Sequence, residues 1–175
     1  MDRREIEANL RALGQKLAHR DLIGEILLLG GAYMLLVIQN RGATKDIDAY
    51  FATEREAIRE AVAEIARERG LPEDWLNDAV KGFMHVRPDD VSLWASYPGL
   101  NIYAPSPEYI FAMKAEAARA GTSDFDDLRA LRKRLRLQTL DEAIAVVEKY
   151  IPANRLSMKT KLTLGGWCET RVLSG

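Results

Sequence analysis

The stretch Leu27-Leu28-Leu29-Gly30-Gly31, followed after an apolar run by Asp46-Ile47-Asp48, decides how this chain is read. It reads as a strand over 25–29, a double-glycine turn, a helix over 31–39 and a second strand over 46–51. Successive side chains of a strand point to opposite faces, so Asp46 and Asp48 share one face and Ile47 points into the core. A rise of about 3.3 Å per residue puts the two Cα atoms roughly 6–7 Å apart. Carboxylates that close repel unless a cation sits between them. Mg²⁺ binds through one or two carboxylates plus substrate phosphates, so Asp46 and Asp48 are the expected ligands of Mg²⁺ or Mn²⁺.

Gly30 and Gly31 answer a different need. Glycine turns with positive φ and lets backbone approach a ligand closely. The free N–H groups of the following helix suit a phosphate. Arg41, Thr44 and Lys45 stand just before the acids, placed to contact a triphosphate. Taken singly, Gly-Gly after an apolar run is often only a turn, and Asp-x-Asp is common by chance. It is their order, with a strand on each side, that points to nucleotide chemistry.

Outward from this block, Ile6, Leu10, Leu13 and Leu17 form one apolar stripe on a helix over 2–19, expected to pack on the sheet. Thr53 and Glu56 have capping-box spacing before a helix over 54–69 that Gly70 ends. A further short helix is expected over 72–80, starting at Pro72. Residues 81–99 are broken by Pro88, Pro98 and Gly99, with a short strand at Phe83 to Val86. Trp94 and Tyr97 fall in this loop-like stretch. Leu100 to Tyr103 reads as a strand stopped by Pro105. Beyond it come helices over 107–120, 124–135 and 141–150, the last capped by Thr139, and then a weaker segment over 152–175. Alternating strands and helices followed by helices predict an α/β (α+β) fold. It has a small mixed sheet flanked by helices, an N-terminal covering helix and a C-terminal helical portion. Residues 1–105 form the core and 106–175 the helical portion, expected as one compact unit.

The pattern apolar-Gly-Gly, helix, Arg41-x-x-Thr44-x-Asp46-Ile47-Asp48 resembles the nucleotidyltransferase superfamily of polymerase-β type. A second block is Ser106-Pro107-Glu108-Tyr109-Ile110-Phe111-Ala112-Met113-Lys114, then Asp124-Phe125-Asp126-Asp127-Leu128. It resembles the Pro-Glu helix with its Lys, and the following Lys-Asp-x-x-Asp-Leu motif, of AbiEii-type bacterial nucleotidyltransferases, which include toxins of toxin–antitoxin pairs. Ser123 stands where that motif has its second Lys. The resemblance spans residues 27 to 131. It implies that Lys114 grips the nucleotide and that Asp124 or Asp127 serves as base or further ligand, facing Asp46 and Asp48. By position alone, Asp124 is equally an N-cap and Asp127 a first-turn acid that suits the helix dipole. Many members of the superfamily carry a third carboxylate on a later strand. The strand at 100–103 offers Asn101 instead.

Composition bounds the rest. At 47% hydrophobic residues the 175-residue chain can bury a real core, which excludes wholesale disorder. Lys and Arg (25) nearly balance Asp and Glu (26), so there is no broad basic field for nucleic acid. Contact with RNA would be local, for example along Arg129, Arg132, Lys133, Arg134 and Arg136. The single Cys168 excludes an internal disulfide and suits a reducing cytosol. The charged N-terminus lacks a signal core, and the longest apolar run is too short for a membrane, so a cytoplasmic setting is expected. His19 and His85 lack metal-ligand spacing, and Trp75, Trp94 and Trp167 read as core or interface fillers. The expected activity is metal-dependent transfer of a nucleoside monophosphate from NTP to a hydroxyl acceptor, tRNA or protein by the resemblance, with an antitoxin as a further partner. The alternatives are a catalytically degenerate nucleotide-binding or regulatory protein of the same fold, and a partner-binding protein.

Overall fold

The computed structural model describes residues 1–78, 90–118, 124–152, 154 and 156–165. The chain divides into two compact units, with the change from one to the other at residues 105 and 106. The first begins with α1 (Arg3–Ala18), β1 (Gly24–Leu28) and α2 (Gly30–Tyr33), which runs into a π-helical turn (Met34–Ile38). It continues through β2 (Ile47–Phe51), α3 (Arg55–Arg69), β3 (Leu76–Asn77), β4 (Val91–Tyr97) and β5 (Leu100–Pro105). The fold is mixed α and β, as expected.

The five strands form one mixed sheet in the order β3-β2-β1-β5-β4. β1 runs antiparallel to β2 and parallel to β5. β2 runs parallel to β3, and β4 antiparallel to β5. Burial alternates cleanly along β2: Ile47, Ala49 and Phe51 are buried while Asp48 and Tyr50 are half-buried. That alternation fixes the core face of the sheet. On that face, Ile6, Leu10, Leu13 and Leu17 of α1 and Ile58 and Ile65 of α3 pack with Ile26, Leu28, Leu100 and Ile102. The α1 stripe is therefore core. Asp2 and Glu5 form a reciprocal capping box at its start. α1 can lie close to the β4–β5 turn because both sides offer glycine. A Cβ on Gly14 would sit 2.5 Å from the Pro98 carbonyl, and Gly99 turns at φ +73° directly beneath the helix.

Several local expectations are corrected. Residues 72–78 form no helix: a turn leads into β3, because Trp75 and Leu76 are pulled into the core and Ile47 N–H bonds the Trp75 carbonyl at 2.8 Å. Thr53 does not cap α3. Its hydroxyl donates to the Ile23 carbonyl at 3.4 Å, and Glu54, left-handed at φ 49°, precedes the helix without a side-chain cap. Arg55 instead turns back to bond the Phe51 carbonyl (2.8 Å) and the Tyr50 hydroxyl (2.7 Å). Trp94 and Tyr97 lie on β4 rather than in a loop, half-buried against the core. Trp75 is fully buried, its indole N–H bonded to the Val62 carbonyl. The expected strand at Phe83 to Val86, the C-terminal end of the 72–80 helix, residues 119–120, Ser123, His85, Trp167 and Cys168 lie outside the described residues.

Lys16 of α1 and Arg20, in the turn after it, bridge to Glu60, Glu64 and Glu68 of α3. The Lys16 ammonium holds Glu64 below the ordinary carboxylate value, and the hydrogen bonds it donates to Glu68 and Glu64 hold Lys16 above its own. Glu64's contribution to stability is thus complete above the unfolded carboxylate pKa and disappears as pH falls through the lowered folded value. Lys16→Ala is expected to flatten the fall of melting temperature as pH drops below the unfolded carboxylate pKa of about 4.3, and the more so at low salt. An unchanged acid limb in thermal melts would remove this network from the account of stability.

The second unit is helical: α4 (Pro107–Ala117), α5 (Asp124–Leu135), α6 (Leu140–Glu148) and α7 (Met158–Gly165). α4 is its centre, burying Tyr109, Ile110, Phe111, Ala112 and Ala115 among residues such as Leu128, Leu131, Val147 and Leu164. Ser106 caps α4 and meets the Tyr150 hydroxyl at 3.2 Å. The Tyr109 and Tyr150 rings pack edge to face at 5.3 Å, and burial pushes the Tyr109 hydroxyl up to about 12. Thr139 and Glu142 form the expected start of α6 as a full capping box. Among the described residues, no helix is long and apolar enough to cross a membrane.

Candidate metal and phosphate site

Asp48 stands on β2, and Leu29 N–H bonds its carbonyl at 2.9 Å. That bond ties the end of β1 to the acid-bearing strand, so the Gly30 turn is presented beside Asp48. Gly30 is left-handed at φ +55°. A Cβ there would run into the Asp48 carboxylate, so the carboxylate already occupies the space against the glycine. Leu29 to Gly31 therefore form a turn built around an acid.

Gly31 meets the following loop in the same way. The position of a Cβ on Gly31 is 2.5 Å from Thr44 Oγ1 and 3.2 Å from Arg41 Nη1. Thr44 is held in turn. Its hydroxyl donates to the Asp46 carbonyl (3.1 Å), and its backbone exchanges hydrogen bonds with Met1. Asp46 lies in the bend just before β2, not within the strand. It keeps the alternation, half-buried like Asp48 while Ile47 between them is fully buried. Gly30, Gly31, Arg41, Thr44, Asp46 and Asp48 are thus gathered at one end of β1 and β2. Lys45 is exposed. The helix after the turn is short, with four α-helical residues before the π-helical turn that ends at left-handed Gln39.

Two half-buried carboxylates, one on β2 and one in the bend just before it, beside the Gly30 turn, are donors of the kind that suit a hard divalent cation sharing its ligands with phosphate oxygens. Among the described residues, no three His, Cys, Asp or Glu side chains gather into a metal cluster. The strand at 100–103 is not the neighbour of Asp48. β5 pairs with β1, and Asn101 registers with Glu25 and accepts a hydrogen bond from Ser96 at 2.8 Å. The other strand beside β2 is β3, where Asn77 registers with Asp48. Sequence reading missed Asn77 because Pro72 looked like a helix start. The signal that could have found it is Trp75-Leu76, two large apolar residues followed by Asn77-Asp78.

In the second unit, Lys114, Asp124 and Asp127 come together. Lys114 Nζ lies 2.7 Å from Asp127 Oδ2 and 3.3 Å from Asp124 Oδ1. The Asp127 side chain is 1% exposed and that of Lys114 14%. Asp124 is the first residue of α5 and Asp127 lies one turn later, so both acids face the Lys114 side of α4. Of the basic residues on α5, Arg132 is spent on the carbonyls of Leu137 and Gln138, and Arg129 pairs with Asp126. His19 is exposed.

Comparison with protein-family models, with curated proteins and with solved structures returns no match.

Proposed function

We propose that this chain is a metal-dependent nucleotidyltransferase that moves a nucleoside monophosphate from NTP to a hydroxyl acceptor. The observation that carries the reading is the seating of the Asp48 carboxylate against left-handed Gly30, with Asp46 half-buried in the bend just before β2. Asp46 and Asp48 would hold Mg²⁺ or Mn²⁺. Gly30 and Gly31 let Asp48, Thr44 and Arg41 close in on the turn, and Arg41, Thr44 and Lys45 would supply cationic and hydroxyl contacts to phosphate. Bound Mg²⁺ would neutralise charge on the triphosphate as the leaving group departs. In the transfer, the acceptor oxygen forms a bond to the α-phosphorus while the bond from that phosphorus to the β-phosphate oxygen breaks. Pyrophosphate leaves with that electron pair, and a carboxylate takes the hydroxyl proton. The resemblance gives that role to Asp127 and nucleotide binding to Lys114 and Asp124. It also supplies the acceptor classes, tRNA or protein, the antitoxin partner and the cytoplasmic setting.

A second reading has its own support. Lys114 and Asp127 already stand in a buried ion pair at 2.7 Å, which suits a chain that binds nucleotide without turning it over. One series of measurements separates the two. Calorimetry with each NTP, with and without Mg²⁺, should show Mg²⁺-dependent binding that is lost in Asp46→Ala and Asp48→Ala variants of unchanged circular dichroism. Labelled NTP incubated with total RNA and with protein should then yield labelled acceptor. Binding without incorporation supports the degenerate reading, and absence of binding by every NTP sinks both.

A further inference from the structure

We infer that the groove between α1 and the C-terminal end of α3 binds the phosphodiester backbone of a single-stranded polynucleotide. The groove encloses about 400 Å³ and involves none of the residues assigned to metal or nucleotide. Ala8 and Ala12 of α1 give it small side chains, and Arg4, Arg11, Gln15 and Arg69 line it around them. Arg4, Ala8, Arg11 and Gln15 are spaced i, i+4, i+7 and i+11, so they run down one outward face of α1. Arg4 and Arg11 stand about 10 Å apart along the helix axis. Arg69 comes in from α3 between their levels, because its guanidinium donates to the side-chain oxygen of Asn9. Asn9 is 4% exposed and also donates to Met1 Sδ, so it is a fixed anchor for that cation.

The fold leaves most of this charge unused. Among the described residues, Arg4 and Arg11 make no hydrogen bond or ion pair, and Arg11 meets the Tyr97 ring with its Cζ 5.5 Å from the centroid. Glu7, which also lines the groove, is neutralised by Arg3 at 2.9 Å. Three guanidiniums therefore face the groove in a chain whose net charge is −1. Arg4 stands in the first turn of α1, the positive end of the helix dipole, where a cation weakens the helix. Helix stability thus gives no reason for it. On α5, by contrast, Arg129 and Arg132 are committed to partners within the unit.

The arrangement selects the ligand. A row of guanidiniums of this length suits an extended polyanion better than a single phosphate. Their planar forks match phosphate oxygens. Arg11 beside Tyr97 joins a cation to an aromatic ring, the combination that holds unstacked bases. An acidic peptide would answer the charges but not the ring. A duplex keeps its bases stacked and brings a convex surface to a narrow groove, so the strand that fits is single.

The test follows the fluorescence anisotropy of a short labelled oligouridylate, and of its oligodeoxythymidylate counterpart, titrated with the full chain over a range of salt. Three phosphate contacts at about 0.7 each give an expected slope of about −2 for log affinity against log salt. Arg4→Gln and Arg11→Gln should each weaken binding about threefold and take about 0.7 from the slope, and the double variant should weaken it about tenfold. Arg129→Gln removes the same charge from the second unit and should leave affinity and slope unchanged. The groove variants should melt with wild type, since neither side chain holds a hydrogen bond of the fold. Equal binding of the two strands supports recognition of the backbone alone, and tighter binding of the RNA strand supports the same groove with RNA as its source. Wild type that binds neither strand at low salt overturns the proposal, as does a double groove variant within about twofold of wild type. A polyglutamate peptide that displaces the strand as well as unlabelled oligonucleotide does would also overturn it, and would assign the groove to an acidic protein. Binding of a duplex as tightly as of the single strand would overturn the choice of strand.

Discussion

Gly30→Ala is expected to abolish Mg²⁺-dependent nucleotide binding while leaving a folded protein. Position 30 is left-handed at φ +55°, a conformation that costs an L-residue with a Cβ about 1–2 kcal/mol. The new methyl would also occupy the space of the Asp48 carboxylate. Asp48 is half-buried, so its side chain can swing away rather than break the sheet. Most of the damage therefore falls on the site and little on the core. Gly31→Ala is the comparison, with a smaller loss expected. Its backbone is not left-handed, and its methyl would press on Thr44 Oγ1, 2.5 Å from the Cβ position, and on Arg41 Nη1 at 3.2 Å rather than on a carboxylate of the site. Denaturant unfolding and calorimetry on both variants check the ordering. Gly30→Ala with undiminished Mg²⁺-dependent affinity would show that the seating of Asp48 has no bearing on nucleotide binding.

Lys114→Met is expected to cost about 3–5 kcal/mol of stability, the usual loss when one partner of a buried ion pair is removed. Asp127, 1% exposed, would be left with its carboxylate inside the helical unit and its closest cation gone. The double variant Lys114→Met/Asp127→Leu removes both charges, and most of the loss should return, since apolar replacement of a buried pair is often close to neutral. Denaturant midpoints of the three variants and wild type form a double-mutant cycle. A double variant whose loss equals the sum of the two single losses would mean that the pair is not coupled. The cycle also bears on function. Loss of activity in a destabilised Lys114 variant is weak support for a catalytic Lys114, whereas an inactive but stable double variant is strong support.

Much of the architecture was legible in the sequence because local signals coincided with burial. The 3.6-residue stripe of α1, the alternation of β2, the Thr139–Glu142 box and the Gly70 stop each act within one element and needed no partner to be recognised. Errors fell where tertiary contacts overrode a local pattern. Pro72 announced a helix, yet Trp75 and Leu76 gain more by entering the core as the start of an edge strand. Thr53 and Glu56 had capping spacing, yet Arg55 reaches back to Phe51 and Tyr50 and starts α3 differently. β4 was hidden because its outward residues include Val91 and Leu93, which break the apolar–polar alternation that marks a half-buried strand.

For the site, the sequence by itself determined the strand–glycine–helix–strand order and, from the two-residue period of a strand, that Asp48 faces away from buried Ile47. It also determined that Lys114, Asp124 and Asp127 stand on helices whose spacing lets them meet. Only the tertiary structure decided that Asp48 lies against Gly30, that β5 is one strand removed from β2, and that Asn77 is its registered neighbour. The physical reason is that strand order and register are set by which apolar faces can be buried together, a condition on the whole sheet that no single segment carries.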